Sequence, residues 1–239
     1  MGKNKLQKFA DMATFRCALQ YPREVLIREG FPYVGKWNEE FFSNSGPLTL
    51  ELGCGKGEYT VALAKANPDR NYIGVDIKGA RIWSGAREVE EKQIANAAFL
   101  RAEIENIDKF FAPGEVDEIW ITFPDPQMQK TRKRLTSTRF LKMYGKFLKP
   151  GGVINLKTDS PFLYEYTKRL AELNGFEIEF ITDDLYGTGQ ADPVTSIKTY
   201  YESQWLSRGK KIKLIKMRVK DFENLQEPPA DDIERDDYR

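Results

Sequence analysis

Histidine is absent from the 239-residue chain. That gap excludes Ser-His-Asp and Cys-His catalysis and removes imidazole both as a general base and as a zinc ligand. Cysteine is nearly as scarce. Cys17 and Cys54 are the only two, neither sits in a CxxC pair, and one pair makes no disulfide framework in a chain of this length. No metal site is expected. No apolar run approaches the roughly 18 residues needed to cross a bilayer. The basic N-terminal stretch MGKNKLQKFADMATFRCALQ lacks the continuous apolar segment of a secretory signal. The chain reads as cytoplasmic, and its chemistry must run on carboxylates, hydroxyls, backbone groups or a bound cofactor.

Net charge is also close to nothing, at +1, but the charges are segregated. Residues 126–150 carry eight Lys/Arg and no acid, and residues 205–220 carry seven and no acid. Residues 221–239 carry eight Asp/Glu against Arg235 and Arg239. Two acid-free blocks and an acidic tail point to a polyanionic partner on one face. Either block alone would favour a solvated helix or strand face, and the two together balance that reading against the partner.

What the sequence does contain is strand–helix alternation. LTLELG (48–53), RNYIGVD (70–76), AAFLRAE (97–103), DEIWITFP (117–124) and GVINLKTD (152–159) are strand-like, with helical sequence between them. Lys149-Pro150-Gly151-Gly152 is a strong breaker before the fifth strand, and Pro161 opens a helix after it. Five such alternations predict a parallel sheet covered by helices on both faces. FEIEFIT (176–182) and KIKLIKMRV (211–219) add an antiparallel edge pair, for seven strands in an α/β, Rossmann-like fold. The expected division is an N-terminal extension over 1–33, one domain over 34–220, and a tail over 221–239 whose composition marks it as disordered. The first 45 residues are expected to lie outside the sheet.

Ligands of such sheets bind beyond the carboxyl ends of the strands. Glu51-Leu52-Gly53-Cys54-Gly55-Lys56-Gly57 follows the first strand and opens a helix. Gly53, Gly55 and Gly57 permit positive φ and leave room for a ligand against the backbone. A pyrophosphate site has little use for the carboxylate of Glu51. S-Adenosyl-L-methionine carries a cationic ammonium and a cationic sulfonium, and suits that acid better than a dinucleotide does. Asp76 ends the second strand, where an acid accepts from ribose hydroxyls; its alternative role is a helix N-cap. Glu103 ends the third, as an acceptor for the adenine amino group or for an adjacent backbone donor. Thr122-Phe123-Pro124-Asp125-Pro126 ends the fourth, with two prolines restricting Asp125. Lys130-Thr131-Arg132-Lys133-Arg134 follows at once and places phosphate-binding charge beside the cleft.

These pieces, together with GKWNEEFF, LKPGG, LKTD and TYYESQWLSRG, resemble in order those of the bacterial tRNA (guanine-N7)-methyltransferases over residues 34–219. The resemblance implies transfer of a methyl group from S-adenosyl-L-methionine to N7 of a variable-loop guanosine, position 46, in tRNA. It implies Glu51, Asp76, Glu103 and Asp125 as cofactor ligands, with Asp125 also the catalytic residue. It further implies Asp159, Thr199, Tyr200, Tyr201 and Glu202 as guanine-recognition elements. Three departures stand out, the first being that the family's usual His after the basic pair is missing. Gln127 replaces the family's usual Trp, and Gln129 occupies the position of a substrate-contacting Lys, with Lys130 one place later. Oligomeric state stays open between monomer and homodimer.

Guanine N7 has a lone pair and no proton, so a chain without histidine suits this chemistry. Two other readings remain. The first is a methyltransferase for another RNA nucleotide or an exocyclic amine; exocyclic-amine enzymes typically carry Asn/Asp-Pro-Pro-Tyr where TFPDP stands. A non-catalytic RNA-binding module with a relic pocket would have no need of Glu51, the glycines and Asp76.

Overall fold

A computed structural model describes residues 5–21 and 23–237 of the chain. The first residues of the N-terminal extension and the last two of the tail lie outside the described residues. Contacts divide the chain into two compact units, residues 1–117 and 118–239.

In the first unit the strand order is β1-β4-β3-β2, all parallel. The strands are β1 (Ala18–Gln20), β2 (Leu48–Leu52), β3 (Asn71–Asp76) and β4 (Ala97–Arg101). Every residue of β2 and β3 is buried, as in parallel strands with helices over both faces. Helix α3 (Glu58–Ala66) connects β2 to β3 and α4 (Gly79–Glu91) connects β3 to β4. Phe99 of β4 is fully buried among three glycines. A Cβ on Gly57 would come within 2.4 Å of its ring, on Gly74 within 2.8 Å, and on Gly85 within 2.7 Å. The helices therefore approach the sheet more closely than any side chain at these positions would allow.

The expectation that the first 45 residues stand apart from the sheet is corrected. β1 joins β4 in register, Ala18 opposite Phe99 and Gln20 opposite Arg101, so the described residues hold eight strands. Helices α1 (Lys5–Thr14) and α2 (Arg23–Glu29) flank it. GKWNEEFF forms a short π-helical turn over Trp37–Phe42. The Glu115 carboxylate accepts from the backbone N–H of Gly35, Trp37 and Ala112 at 2.9, 3.1 and 2.8 Å. The Trp37 indole donates to the Phe110 carbonyl at 2.9 Å.

In the second unit the order is β5-β6-β8-β7, with β5 (Val116–Thr122) crossing the boundary between units. β8 (Lys213–Arg218) runs antiparallel to both β6 (Leu148–Thr158) and β7 (Glu177–Thr182), as the two final strand patterns implied. α6 (Pro161–Leu173) starts with Pro161 in its first turn, and the Ser160 side chain accepts from the Leu163 N–H at 2.9 Å. α5 (Thr138–Tyr144) and α7 (Tyr200–Ser207) complete the unit.

The acidic tail is not the disordered segment its composition suggested. Glu227 accepts from the Thr138 hydroxyl at 2.7 Å and from the Tyr166 phenol. Asp232 pairs with Arg169 at 2.8 Å. Asp236 accepts from the Phe162 N–H at 2.9 Å and from the Ser160 hydroxyl. Glu227 and Asp236 settle at the amino ends of α5 and α6, where unpaired N–H groups favour negative charge.

Gly85 tests the packing around Phe99. In an ordinary helix Gly→Ala stabilises by about 1 kcal/mol. Here the new Cβ would meet the Lys56 carbonyl at 2.7 Å as well as the Phe99 ring. Gly85→Ala should instead destabilise, by ~1–3 kcal/mol, read as a lower urea midpoint at unchanged slope. A higher midpoint would show that the helix is not held this close.

Candidate active site

The glycine loop is shaped by two acids. Glu51, at the end of β2, is buried; its Oε2 accepts from the Thr60 N–H at 2.9 Å and from the Thr60 hydroxyl, which ties the strand end to the first turn of α3. Asp76 Oδ2 accepts from the Gly55 N–H at 3.0 Å and Oδ1 from the Lys78 N–H at 2.7 Å. Asp76 thus holds the loop across from its own strand, and the N-cap position of α4 belongs to Lys78. Gly53, Gly55 and Gly57 all have positive φ, at 81°, 56° and 75°. A Cβ on Gly53 or Gly55 would meet nothing within 4 Å, so the loop presents open backbone. Gly57 instead faces Phe99, and its role is packing.

Glu103 is exposed and accepts from the Asn106 side chain at 3.0 Å. The Ala102 N–H donates to the Asp76 carbonyl at 3.3 Å, which keeps the ends of β3 and β4 together. Glu51, Gly53, Gly55, Asp76 and Glu103 are therefore assembled at one end of one parallel sheet. Cys54, in the middle of the loop, is buried. Burial first, then the charges of Glu51 and Asp76, push its thiol well above the ordinary value.

The second unit carries the remaining expected residues. Asp125 is exposed and its Oδ1 accepts from the Gln127 N–H at 2.9 Å, an Asx turn that fixes the carboxylate. Phe123 and Gln127 bracket it with φ of 48° and 46°, a left-handed backbone that non-glycine residues seldom adopt. Two contacts hold this strained loop. The Phe123 N–H donates to the Lys157 carbonyl at 2.8 Å. Arg134 donates from Nε to the Gln127 carbonyl at 3.2 Å and from Nη2 to the Met128 carbonyl at 2.8 Å.

Arg134 corrects the sequence expectation. It is 2% exposed, with its guanidinium 4.8 Å from the Phe162 ring centroid and 4.4 Å from that of Tyr166. It clamps the loop and is not available to a phosphate. Gln129, Lys130, Arg132 and Lys133 are exposed. No local pattern separates Arg134 from its neighbours, because the aromatic partners come from α6.

Glu202 is the second correction. It is 0% exposed and pairs with the equally buried Lys157, Nζ lying 2.8 Å from Oε1. The Lys157 ammonium also donates to the carbonyls of Thr195 and Ile197 at 2.7 and 2.9 Å, and Tyr186 donates its hydroxyl proton to Glu202. Burial pulls the Lys157 ammonium below its ordinary value, against the pull of Glu202. The pair anchors the 186–199 segment to β6. Thr199 likewise works within the fold, as the N-cap of a capping box with Glu202. That leaves Tyr200 and Tyr201 exposed, their rings edge to face at 5.8 Å.

Asp159 is buried, yet its Oδ2 accepts no hydrogen bond. Lys210 stands 3.8 Å away. Burial pushes the carboxyl above its ordinary value, Asp236 adds to the effect, and Lys210 and Lys213 oppose it. A buried carboxylate oxygen with no donor is costly to the fold and suits an acceptor awaiting a ligand.

A family model described as a putative methyltransferase matches residues 45–215. The chain is 56% identical over 239 residues to the tRNA (guanine-N(7)-)-methyltransferase of Bacteroides thetaiotaomicron, a match covering 100% of this chain and 94% of the relative. The chain belongs to the tRNA (guanine-N7)-methyltransferase family. The Porphyromonas gingivalis member is 55% identical over 231 residues, 95% of each chain. Among solved structures, the 16S rRNA methyltransferase KamB aligns with a TM-score of 0.58 at 15% identity, over 77% of this chain and 93% of that one. A structure described as an antibiotic-related methyltransferase gives 0.57 at 18%, over 85% and 96%. At those identities they establish the Rossmann-like methyltransferase fold. S-Adenosyl-L-methionine is the methyl donor, and the open backbone at Gly53 and Gly55 between two acids fits it.

Two measurements check this geometry. Asp159→Asn should raise the melting temperature at pH 7, by about 2–4 °C for each ~1 kcal/mol recovered. A raised folded-state value means that stability is lost as pH climbs from the ordinary carboxylate range through the folded value. The gap between variant and wild type should therefore close as pH falls below that range. A constant gap would show that the charge is not the cause. Separately, replacing Lys130, Arg132 and Lys133 by Ala should flatten the slope of log K for tRNA against log salt by about 2–3. Arg134→Ala should leave that slope alone and lower the melting temperature.

Proposed function

We propose that this chain transfers the methyl group of S-adenosyl-L-methionine to N7 of the variable-loop guanosine at position 46 of tRNA, in the cytoplasm. The observation that carries the base assignment is the buried Oδ2 of Asp159, which accepts no hydrogen bond. The Watson–Crick edge of guanine offers N1–H and the N2 amino group side by side, and a carboxylate accepts from both. Adenine has no such pair of donors, and cytosine offers a single amino group. Tyr200 and Tyr201 are exposed aromatic faces suited to stacking on a base drawn out of its helix.

When bound, S-adenosyl-L-methionine supplies an electrophilic methyl group on a cationic sulfur. The protein aligns and stabilises. Glu51 and Asp76 set a negative field at the glycine loop. Asp125, held by its Asx turn between two left-handed residues, orients the reacting pair and supports the positive charge that guanine gains. No proton leaves N7, so no general base is required. Lys130, Arg132 and Lys133 hold phosphates, and Gln129 contacts the same backbone without charge.

The exocyclic-amine reading loses its support, because the relatives at 55–56% identity carry the guanine-N7 name. No helix among the described residues is long and apolar enough to cross a membrane.

The test is to methylate tRNA with the purified protein and cleave it with borohydride and aniline, which breaks the chain at N7-methylguanosine. A single cut at position 46 is expected, and a labelled product that resists cleavage would overturn the N7 assignment. In single-turnover assays Asp125→Asn should lower the rate by about 10²–10³-fold, as for the loss of one preorganised electrostatic contact, with tRNA affinity unchanged. The residual rate should be nearly flat between about pH 6 and 9, whereas a steep rise would indicate a missing base.

A further inference from the structure

The strand that the N-terminal segment adds to the sheet brings more than an edge. β1 runs parallel to β4, Gln20 opposite Arg101. The chain leaving β1 therefore emerges at the same end of the sheet as Ala102–Glu103 and Asp76–Ile77. A cavity of about 210 Å³ lies there, walled by Tyr21 and Arg23 from the N-terminal segment and by Ile77, Glu103, Asn106 and Phe110. Sites for whole small ligands measure roughly 300–1,000 Å³, so this one takes part of a ligand, on the scale of a single heterocycle.

Its lining has a consistent chemistry. Ile77 directly follows Asp76, and it is 51% exposed at the edge of this cavity, an apolar surface with no cover from the protein. The Tyr21 ring packs edge-on against Phe31, centroids 4.8 Å apart, and Phe31 packs against Phe110 at 5.0 Å. The aromatic wall is thus rigid before any ligand arrives. Glu103, turned by its contact with Asn106 at 3.0 Å, provides an acceptor at the rim. The apolar surface of Ile77, the Tyr21 ring and the Glu103 carboxylate, with Arg23 and Arg101 also in the lining, fit a purine carrying an amino group.

We infer that the N-terminal segment forms one wall of the adenine pocket, with Tyr21 as a positioning residue for the cofactor's base and Arg23 as its outer rim. This rests on the reading that the chain uses S-adenosyl-L-methionine. It gives Tyr21 and Arg23 a part in cofactor binding that their place before the glycine loop does not suggest. Closing the pocket from this side fixes the adenosine end of the cofactor independently of the amino-acid end at Glu51.

Calorimetry with two probes separates the two ends. S-Adenosylhomocysteine carries both; 5′-methylthioadenosine keeps the adenosine and sulfur but lacks the amino acid. Tyr21→Ala should weaken both by about 10–100-fold, the range for removing one aromatic face from a base, and Tyr21→Phe should restore both. Glu51→Gln should weaken S-adenosylhomocysteine alone. Arg23 is exposed, so Arg23→Ala keeps the fold intact should Tyr21→Ala lose it, and a several-fold loss for both probes is expected. Unchanged affinity for both probes in Arg23→Ala and in folded Tyr21→Ala would overturn the inference while leaving the proposed function standing. So would a loss confined to tRNA affinity, which would turn this segment toward the RNA. Failure of the wild-type protein to bind S-adenosylhomocysteine would instead remove the cofactor reading on which the inference rests.

Discussion

Charge buried at the carboxyl ends of strands is the constraint around which both units are organised. A carboxylate or ammonium withdrawn from water must find its partners inside the fold or destabilise it by several kcal/mol. In the first unit Glu51 finds the N–H and hydroxyl of Thr60, and that choice sets where α3 begins. Asp76 finds the N–H groups of Gly55 and Lys78, and the glycine loop takes its curvature from it. In the second unit Lys157 gathers two carbonyls and Glu202. A long segment with little regular structure is thereby tied to β6. The same β6 residue receives the Phe123 N–H on its carbonyl, so one position holds both the loop around Asp125 and the start of α7.

Beside these paired charges stand groups that the fold leaves open. Gly53 and Gly55 face open space, Asp159 keeps a buried oxygen without a donor, and Tyr200 and Tyr201 stand out of the surface. Two of the four described non-glycine residues with positive φ, Phe123 and Gln127, flank Asp125 and are held by the surrounding contacts.

Much of this was legible in the sequence because it is local. The glycine loop, the acid at each strand end, the Lys149-Pro150-Gly151-Gly152 breaker and the proline-flanked Asp125 all carry their meaning within a few residues. What could not be read depends on partners distant along the chain. Arg134 and Lys133 are alike by local pattern, and only the rings of Phe162 and Tyr166 decide that one is buried. Glu202 sits in a motif that resembles a recognition element, but Lys157 claims it first. β1 is three residues long, too short for alternation to reveal. The acidic tail has the composition of a solvated segment, and only the positions of Ser160, Tyr166 and Arg169 give its carboxylates somewhere to go.

The nest around Phe99 has an evolutionary consequence. Gly57, Gly74 and Gly85 come from a loop, a strand and a helix, yet each is kept bare by the same ring. None of the three can gain a side chain while the ring is there, and losing the ring leaves a void that none of them alone can fill. The four positions are therefore free to drift only as a set. A chimaera that takes β4 from a distant relative and α3 and α4 from this chain would inherit half of an interlocked fit, and would loosen the glycine loop without a single change in the residues that line it.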